Sequence, residues 1–438
     1  MKIRKPIVLA IVLAVVWGAF PARTKAAENG EIVSIDRKEF VARHLDGRGL
    51  DLLMEKNGRV YIVASPGELA SLFAARVRFA VETDRFYPFD QTGISSTGGL
   101  NGAYHSYLEL ETDLRLLERD HPGLAKLVEL GESLEKRKVY ALKISGNAAV
   151  DESEPAVLFL GCHHAREWIS VEVPYLFGKH LLENYDQSPE VRDLVNRSQI
   201  WIVPLVNPDG LEYTIHVYRY WRKNRRFNAD GSYGVDINRN YGYQWGYDNI
   251  GSSPEPVSEV YRGTAAFSEP ETEAVRRLFL SRSFQAVISF HSFSQTIMYP
   301  WGYIDTPTPD DTELNAIART MSGLISAVRG TIYGYGRAAG ILYPTNGDTV
   351  DWMYGISGMP SFTVELPPVD VEHGGFFNDE AAIDAVFSEN LPAMLYLAGY
   401  AVQNYVPAPG RLRGRDGRLR APNKLKFIGK IDNASWMK

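Results

Sequence analysis

The chain has 438 residues and a net charge of −6, with apolar and charged fractions of 45% and 23%, so it can hold one large globular domain plus smaller pieces. Its single cysteine, Cys162, excludes an intramolecular disulfide, a staple that a domain of this size does not need. Residues 411–438 carry nine Lys/Arg against two Asp/Glu, a local balance of +7 that leaves −13 on the rest and argues against nucleic acid as a partner.

Lys2, Arg4 and Lys5 precede an apolar run from Pro6 to Phe20, and small residues follow at Ala26-Ala27. That run is shorter than the ~20 residues a membrane helix needs. Residues 1–26 therefore read as a cleaved signal peptide, and the protein as secreted and soluble. No later stretch is long and apolar enough for a transmembrane span.

Residues 27–98 read as a small α+β unit with its linker. Arg59-Val60-Tyr61-Ile62-Val63 is strand-like, Ser65-Pro66-Gly67-Glu68 is a helix start, and apolar periodicity continues from Leu69 to Phe79. Residues 87–99 are rich in Ser, Gly and Thr, a linker of the kind that proteases nick. The unit before it is either an ordinary N-terminal domain or a pro-segment.

From Ala103 the texture changes. Ser106 to His121 has helical periodicity, Lys138 to Ile144 alternates as a strand, Ala156 to Gly161 is a buried strand, and Arg166 to Tyr185 reads as a long helix. Gln199 to Leu205, Ala286 to His291 and Ser361 to Leu366 are further β-rich runs. Helices are predicted at Glu269 to Ser283, Asp310 to Val328 and Asp379 to Val402. Strands alternating with helices predict an α/β domain with helices on both sheet faces, here over 99–405. Residues 406–438 form the basic C-terminal tail, with a possible short strand at Leu425 to Gly429.

The chemistry concentrates at strand ends, where open α/β sheets place their active sites. Gly161-Cys162-His163-His164-Ala165-Arg166-Glu167-Trp168 closes the strand from Ala156. An imidazole and a carboxylate three residues apart can chelate one divalent metal from a single turn. A catalytic zinc takes three protein ligands and keeps a fourth position for water, and His291 ends another buried strand. Glu365, closing Ser361-Phe362-Thr363-Val364, offers a general base outside the chelating turn. Asn238-Arg239-Asn240 offers an amide and a guanidinium fork suited to a carboxylate. Arg219-Tyr220-Trp221-Arg222-Lys223 adds a cation for an oxyanion, and Tyr343 lies in a Gly/Pro-punctuated loop that suits a lid. Cys162 reads as a small buried residue rather than a nucleophile. Taken singly, each cluster has an ordinary structural account. Their joint order and spacing argue against chance.

That joint pattern resembles the zinc carboxypeptidase family of carboxypeptidases A, B and T, with the bacterial T type nearest in look. The resemblance covers about Ala103 to Tyr405. It rests on His164-Ala165-Arg166-Glu167-Trp168, Asn207-Pro208-Asp209-Gly210, Trp221-Arg222-Lys223, Asn238-Arg239-Asn240, His291-Ser292, Asp351-Trp352 and Phe362-Thr363-Val364-Glu365. It implies a mixed, mainly parallel eight-stranded sheet covered by helices and often an N-terminal inhibitory pro-segment. The two-histidine, one-glutamate zinc site is the one carboxypeptidase A uses, so that ligand set is carried over from it. The matching also decides between adjacent histidines, because His164 falls on the ligand position and His163 beside it.

By the same matching, Asp236 resembles the carboxylate that orients His164, Arg222 the oxyanion-stabilising arginine, and Glu365 the base. Asn238, Arg239 and Tyr343 resemble the binders of the substrate's terminal carboxylate, and Arg166 and Arg219 arginines at outer subsites. The position before Asp351-Trp352, which faces the terminal side chain, is Val350, and Asp348 stands two residues earlier. Three features depart from the pattern: Phe293 stands where A-type enzymes carry tyrosine, the segment after Glu365 is longer than usual, and the basic tail lies outside the resemblance.

The expectation is a secreted metallocarboxypeptidase with one zinc ion, acting as a monomer on peptide C-termini that end in apolar or aromatic residues and more slowly on basic ones. Its rivals are a cell-wall muropeptide hydrolase of the same superfamily and a catalytically inactive binding module.

Overall fold

Alternation along the first strands gives the N-terminal unit two faces that both find partners. A computed structural model of the chain describes residues 31–45, 50–56, 58–82, 101–370 and 373–405. Strands β1 (Glu31–Asp36), β2 (Asp51–Lys56), β3 (Arg59–Ala64) and β4 (Phe79–Val81) form an antiparallel sheet of order β2-β3-β1-β4. Val33, Ile35, Val60 and Ile62 bury one face with Phe40 and Leu72. Successive strand residues point to opposite sides, so Ile32 and Val63 bury the other face against Tyr218, Trp221 and Phe376 of the larger body.

The helix expected after Ser65 starts as predicted. Ser65 and Glu68 form a reciprocal capping box, with Pro66 in the first turn. It ends at Ala74, short of the predicted Phe79, because Arg76 turns into the left-handed region at φ 56° and Phe79 joins β4. The expected signal peptide, the whole 87–99 linker stretch and the basic tail lie outside the described residues.

The larger body is the mixed eight-stranded sheet the resemblance implied. It comprises β5 (Ala125–Glu132), β6 (Lys138–Ile144), β7 (Ala156–Leu160), β8 (Gln199–Val203), β9 (Phe284–Ser292), β10 (Thr296–Tyr299), β11 (Gly334–Arg337) and β12 (Ser361–Leu366). Their order is β11-β10-β12-β9-β7-β8-β6-β5. The central strands β12, β9, β7 and β8 run parallel, while β5, β6 and the β10–β12 pair supply the antiparallel contacts.

On one face, Val157, Phe159, Ile202, Ile288 and Phe290 pack against the helices Ile169–Glu183 and Ile383–Gln403. On the other, Leu158, Leu160, Trp201, Val203 and Val287 meet the helices Pro270–Ser281 and Thr349–Ser357. Each such side chain contributes about 1.5–3 kcal/mol on burial, which anchors the strand ends firmly. Among the described residues, no helix is long and apolar enough to cross a membrane.

One boundary matters for the site. The helix predicted from Arg166 begins only at Ile169, and 161–168 form a turn after β7. Glu167 N–H donates to His164 O at 3.2 Å, and the Ser170 hydroxyl closes on Glu167 O at 2.5 Å. Gly161 makes the turn possible, since a Cβ there would lie 2.1 Å from Ser170 O and 2.7 Å from Pro204 O.

Candidate active site and metal centre

Parallel strands deliver their C-terminal ends to one edge, and the predicted residues meet there. In the β12–β9 register Glu365 stands beside His291, and one strand further the 161–168 turn leaves β7. His164, Glu167 and His291 are buried and bring one ligand atom each within 4.8 Å of one another. His164 Nδ1 lies 2.7 Å from Glu167 Oε1, His291 Nδ1 lies 3.0 Å from Glu167 Oε2, and the two Nδ1 atoms are 3.1 Å apart. Burial alone would raise the Glu167 carboxyl, but the two imidazoles override it and hold the group well below the usual carboxylate range.

Asp236 sits behind this cluster, fully buried. Its Oδ1 lies 3.2 Å from His164 Nε2, and Oδ2 accepts from Arg222 Nε at 3.0 Å and Nη2 at 2.9 Å. Against its burial, Arg222, His164 and Arg239 keep Asp236 ionised, well below its ordinary range. An ionised acceptor at His164 Nε2 fixes the proton on that nitrogen and leaves Nδ1 as a lone pair aimed at Glu167 and His291. Three electron-rich atoms converging this closely suit a cation, and a His₂Glu set at a pocket suits zinc in an open coordination.

The pocket, with the open solvent at its mouth, spans about 420 Å³ and is lined by His164, His291, Arg222, Asn238, Arg239, Glu365, Tyr343, Val350 and Asp348, all predicted, together with Met298, Ala338, Leu342, Thr345 and Thr363. Met298 and Ala338 escaped the sequence reading because their short elements carry no chemical signature, whereas Leu342, Thr345 and Thr363 are close chain neighbours of predicted residues. Glu365 Oε2 is shielded from solvent and has no hydrogen-bond partner. Burial first, then the charge of Glu167, pushes the Glu365 carboxyl well above its ordinary range. Asn238 and Arg239 lie on a short 3₁₀ turn capped by Asp236. Arg239 is held by Gly251 O at 2.8 Å and Asn238 O at 2.9 Å. Tyr343 is 46% exposed on the loop at the rim.

Asp348 caps the helix Thr349–Ser357, accepting from Asp351 N at 2.8 Å and from the Thr345 hydroxyl at 2.6 Å. Burial raises its pKa. Val350, 2% exposed, lies on that helix's first turn.

Arg166 does not line this pocket. Its guanidinium lies 3.9 Å from the centre of the Phe376 ring and is gripped by Asp51 of the N-terminal unit, with both N···O distances 2.5 Å. Arg219 donates to the carbonyls of Arg166 and Phe376 and packs on the rings of Trp168 and Phe377. Neither Asp51 nor its reach to Arg166 was visible in the sequence. His163 is fully buried beside the site, its ring stacked on that of His291 at 5.6 Å. Cys162 is buried, and burial raises its thiol well above the ordinary range, which suits a packing residue.

A profile of the peptidase M14 zinc carboxypeptidases matches residues 110–393. Bovine carboxypeptidase A1 is 33% identical over 318 residues, 72% of this chain and 74% of that one. A zinc carboxypeptidase of Saccharothrix mutabilis subsp. capreolus is 30% identical over 371 residues, 81% of this chain and 84% of that one. The crystal structure of thrombin activatable fibrinolysis inhibitor superposes with a TM-score of 0.70 at 27% identity, covering 86% of this chain and all of that one. These matches do not single out the T type. A family profile spanning well over half the chain, on a fold with the matching sheet and a His₂Glu cluster at its edge, leaves one conclusion: the chain belongs to the zinc carboxypeptidase family and is a metallocarboxypeptidase.

Proposed function

We propose that the protein is a secreted enzyme that removes C-terminal residues from peptides, favouring apolar and aromatic ends, and that the unit at 31–82 is an inhibitory pro-segment. The observation that carries the exopeptidase reading is the pairing of Glu365, with its unpartnered buried oxygen, and the Asn238–Arg239 pair in one pocket. His164, Glu167 and His291 would hold zinc, which supplies Lewis acidity for water and for the scissile carbonyl when bound. Arg239 and Asn238 hold the terminal carboxylate and so restrict cleavage to the last peptide bond. Glu365 takes the proton of the attacking water and passes it to the leaving amine. Arg222, oriented by Asp236, faces the developing oxyanion. Tyr343 covers the bound end.

An apolar preference is supported by Val350, Met298, Ala338 and Leu342 along the pocket. Asp348 also borders it, but its oxygens already cap a helix, so it compensates a basic side chain poorly. One chain carries the whole constellation, which supports action as a monomer. The inhibitory role is supported by the Asp51–Arg166 contact and by the apolar face of the N-terminal sheet packed on Tyr218, Trp221 and Phe376.

The test is a ladder of peptides with free or amidated C-termini, with and without chelator, alongside muropeptides. Chelator-sensitive release of single residues from free termini is expected. Cleavage of amidated peptides, or of muropeptides alone, would overturn the reading.

A further inference from the structure

His163 contributes no ligand, yet it touches hydroxyls that lead to two different parts of the site. Its Nε2 lies 2.8 Å from the Tyr241 hydroxyl and 3.1 Å from Thr349 Oγ1, and its Nδ1 lies 3.4 Å from Ser289 Oγ. Buried, with hydroxyl partners, the ring is neutral and carries one proton.

The direction of each bond can be worked out from a fixed donor. Thr349 N–H donates to Asn238 Oδ1 at 3.0 Å, and a backbone N–H can only donate. The oxygen of the Asn238 amide therefore faces Thr349, and its NH₂ faces away. Thr349 Oγ1 is 2.6 Å from the same Oδ1 and must give its single proton there. It can then only accept from His163 Nε2, so that contact requires the imidazole proton on Nε2, where the nearer Tyr241 hydroxyl accepts from it as well, and Nδ1 is left as an acceptor. Ser289 Oγ–H donates to that Nδ1 and is free to accept from His291 Nε2, 3.1 Å away. His291 thus carries its proton on Nε2 and keeps Nδ1, the atom facing His164 and Glu167, as a lone pair. Asn238 Nδ2 also approaches His291 Nε2, at 3.5 Å, the longer of the two contacts. Were His291 to accept there instead, its proton would sit on Nδ1 and block coordination.

We propose that His163 is a positioning residue whose Nε2–H tautomer, acting through Ser289 and Thr349, fixes both the ligating lone pair of His291 and the outward-facing NH₂ of Asn238. One buried imidazole then links metal holding to terminal-carboxylate binding. This rests on the functional reading of His291 and Asn238 given above. The two arms give it a signature that a simple packing role lacks.

In full-length protein, zinc affinity is measured by chelator competition and carboxylate recognition by the affinity of the zinc-loaded protein for N-acetylphenylalanine against its amide. Ser289→Ala should weaken zinc about tenfold and leave acid-over-amide discrimination unchanged, at the low end of what partners of metal ligands contribute. Thr349→Val should do the reverse, and His163→Leu should do both. ¹⁵N-histidine spectra of the metal-free protein should show His163 protonated on Nε2. A folded His163→Leu protein within twofold of wild type in both affinities, or a His163 proton on Nδ1, overturns the inference. If His163→Leu fails to fold, the two outer variants and the spectra still decide. Wild-type protein that binds neither zinc nor N-acetylphenylalanine would instead sink the functional reading beneath it.

Discussion

Asp51 on β2 meets Arg166, two residues past the ligand His164, through a two-armed ion pair with both N···O distances at 2.5 Å. Arg166 is 1% exposed and Asp51 8%, so the pair lies inside the contact between the N-terminal unit and the body. Removing one partner from a buried pair costs about 3–5 kcal/mol, because the remaining charge stays desolvated. Asp51→Asn should therefore loosen the unit. The expected outcome is several-fold higher peptidase activity of the intact chain and faster proteolysis between Arg85 and Gly102. Unchanged latency in a folded Asp51→Asn protein would show that apolar packing alone holds the unit in place.

The same interface should respond to pH. Glu68, on the first turn of the helix after Ser65, is pushed up to about 7 by burial and by the charges of Glu259 and Asp51. Glu259 on the body is raised too, by burial, with Lys223, Arg166 and Arg222 opposing. Buried Lys223, which faces both acids, is lowered. A carboxyl whose docked pKa exceeds its free value favours the docked state when protonated. The contribution is fully present below the free value near 4.5 and is lost as pH rises through about 7. Glu68 is partly exposed by surface area, so the effect is set at about tenfold in affinity of the nicked unit between pH 5.5 and 8. Glu68→Gln should flatten it. A unit that binds more tightly at pH 8 than at pH 5.5 would reverse the sign and refute the argument.

Metal and base should separate. Glu365 lies on β12 and His164 on the turn after β7, so each can be changed without removing the other. Glu365→Gln should keep stoichiometric zinc and lose at least about 10³-fold in kcat, a loss within the range typical of general acid–base catalysis. His164→Ala should lose both metal and activity. A zinc-loaded Glu365→Gln enzyme of near-normal activity would rule Glu365 out as the base.

What the sequence made legible follows from how each feature is encoded. Strands β7 and β9 are buried on both faces and carry apolar runs, and β12 is a β-rich run with Phe362 and Val364, so their ends and the residues closing them could be placed. Strands β10 and β11 are four residues each, with Gly334 and Gly336 in the latter, too short for a periodic signal. They carry Met298 and lead to Ala338, so the pocket wall stayed hidden. The start at Arg166 went wrong because apolar periodicity cannot separate a chelating turn from the helix it leads into. Asp51 was invisible for a different reason: nothing in Leu50-Asp51-Leu52-Leu53 marks the carboxylate as half of a buried pair, and its partner lies 115 positions away.

The last prediction concerns the terminal residue removed. Val350 and Asp348 flank the same helix start, and both border the pocket. Asp348 is committed to Asp351 N and Thr345, whereas Val350 offers only apolar surface. An Arg or Lys end would have to desolvate its charge against Val350 with little compensation. Wild-type kcat/KM should thus rank Phe and Leu ends above Arg and Glu, whose charges would both be desolvated against the same apolar wall. Val350→Asp should shift the Arg-to-Phe ratio toward Arg by roughly a hundredfold, because a charge partner placed in the pocket acts on differential transition-state binding. The gain should fade in acid, as Asp348 and Asp351 nearby are already raised by burial and would raise a third carboxyl beside them. A wild-type enzyme that prefers Arg over Phe would mean that Asp348 leaves its capping role to meet the substrate. In that case Asp348→Asn, rather than Val350→Asp, should move the ratio.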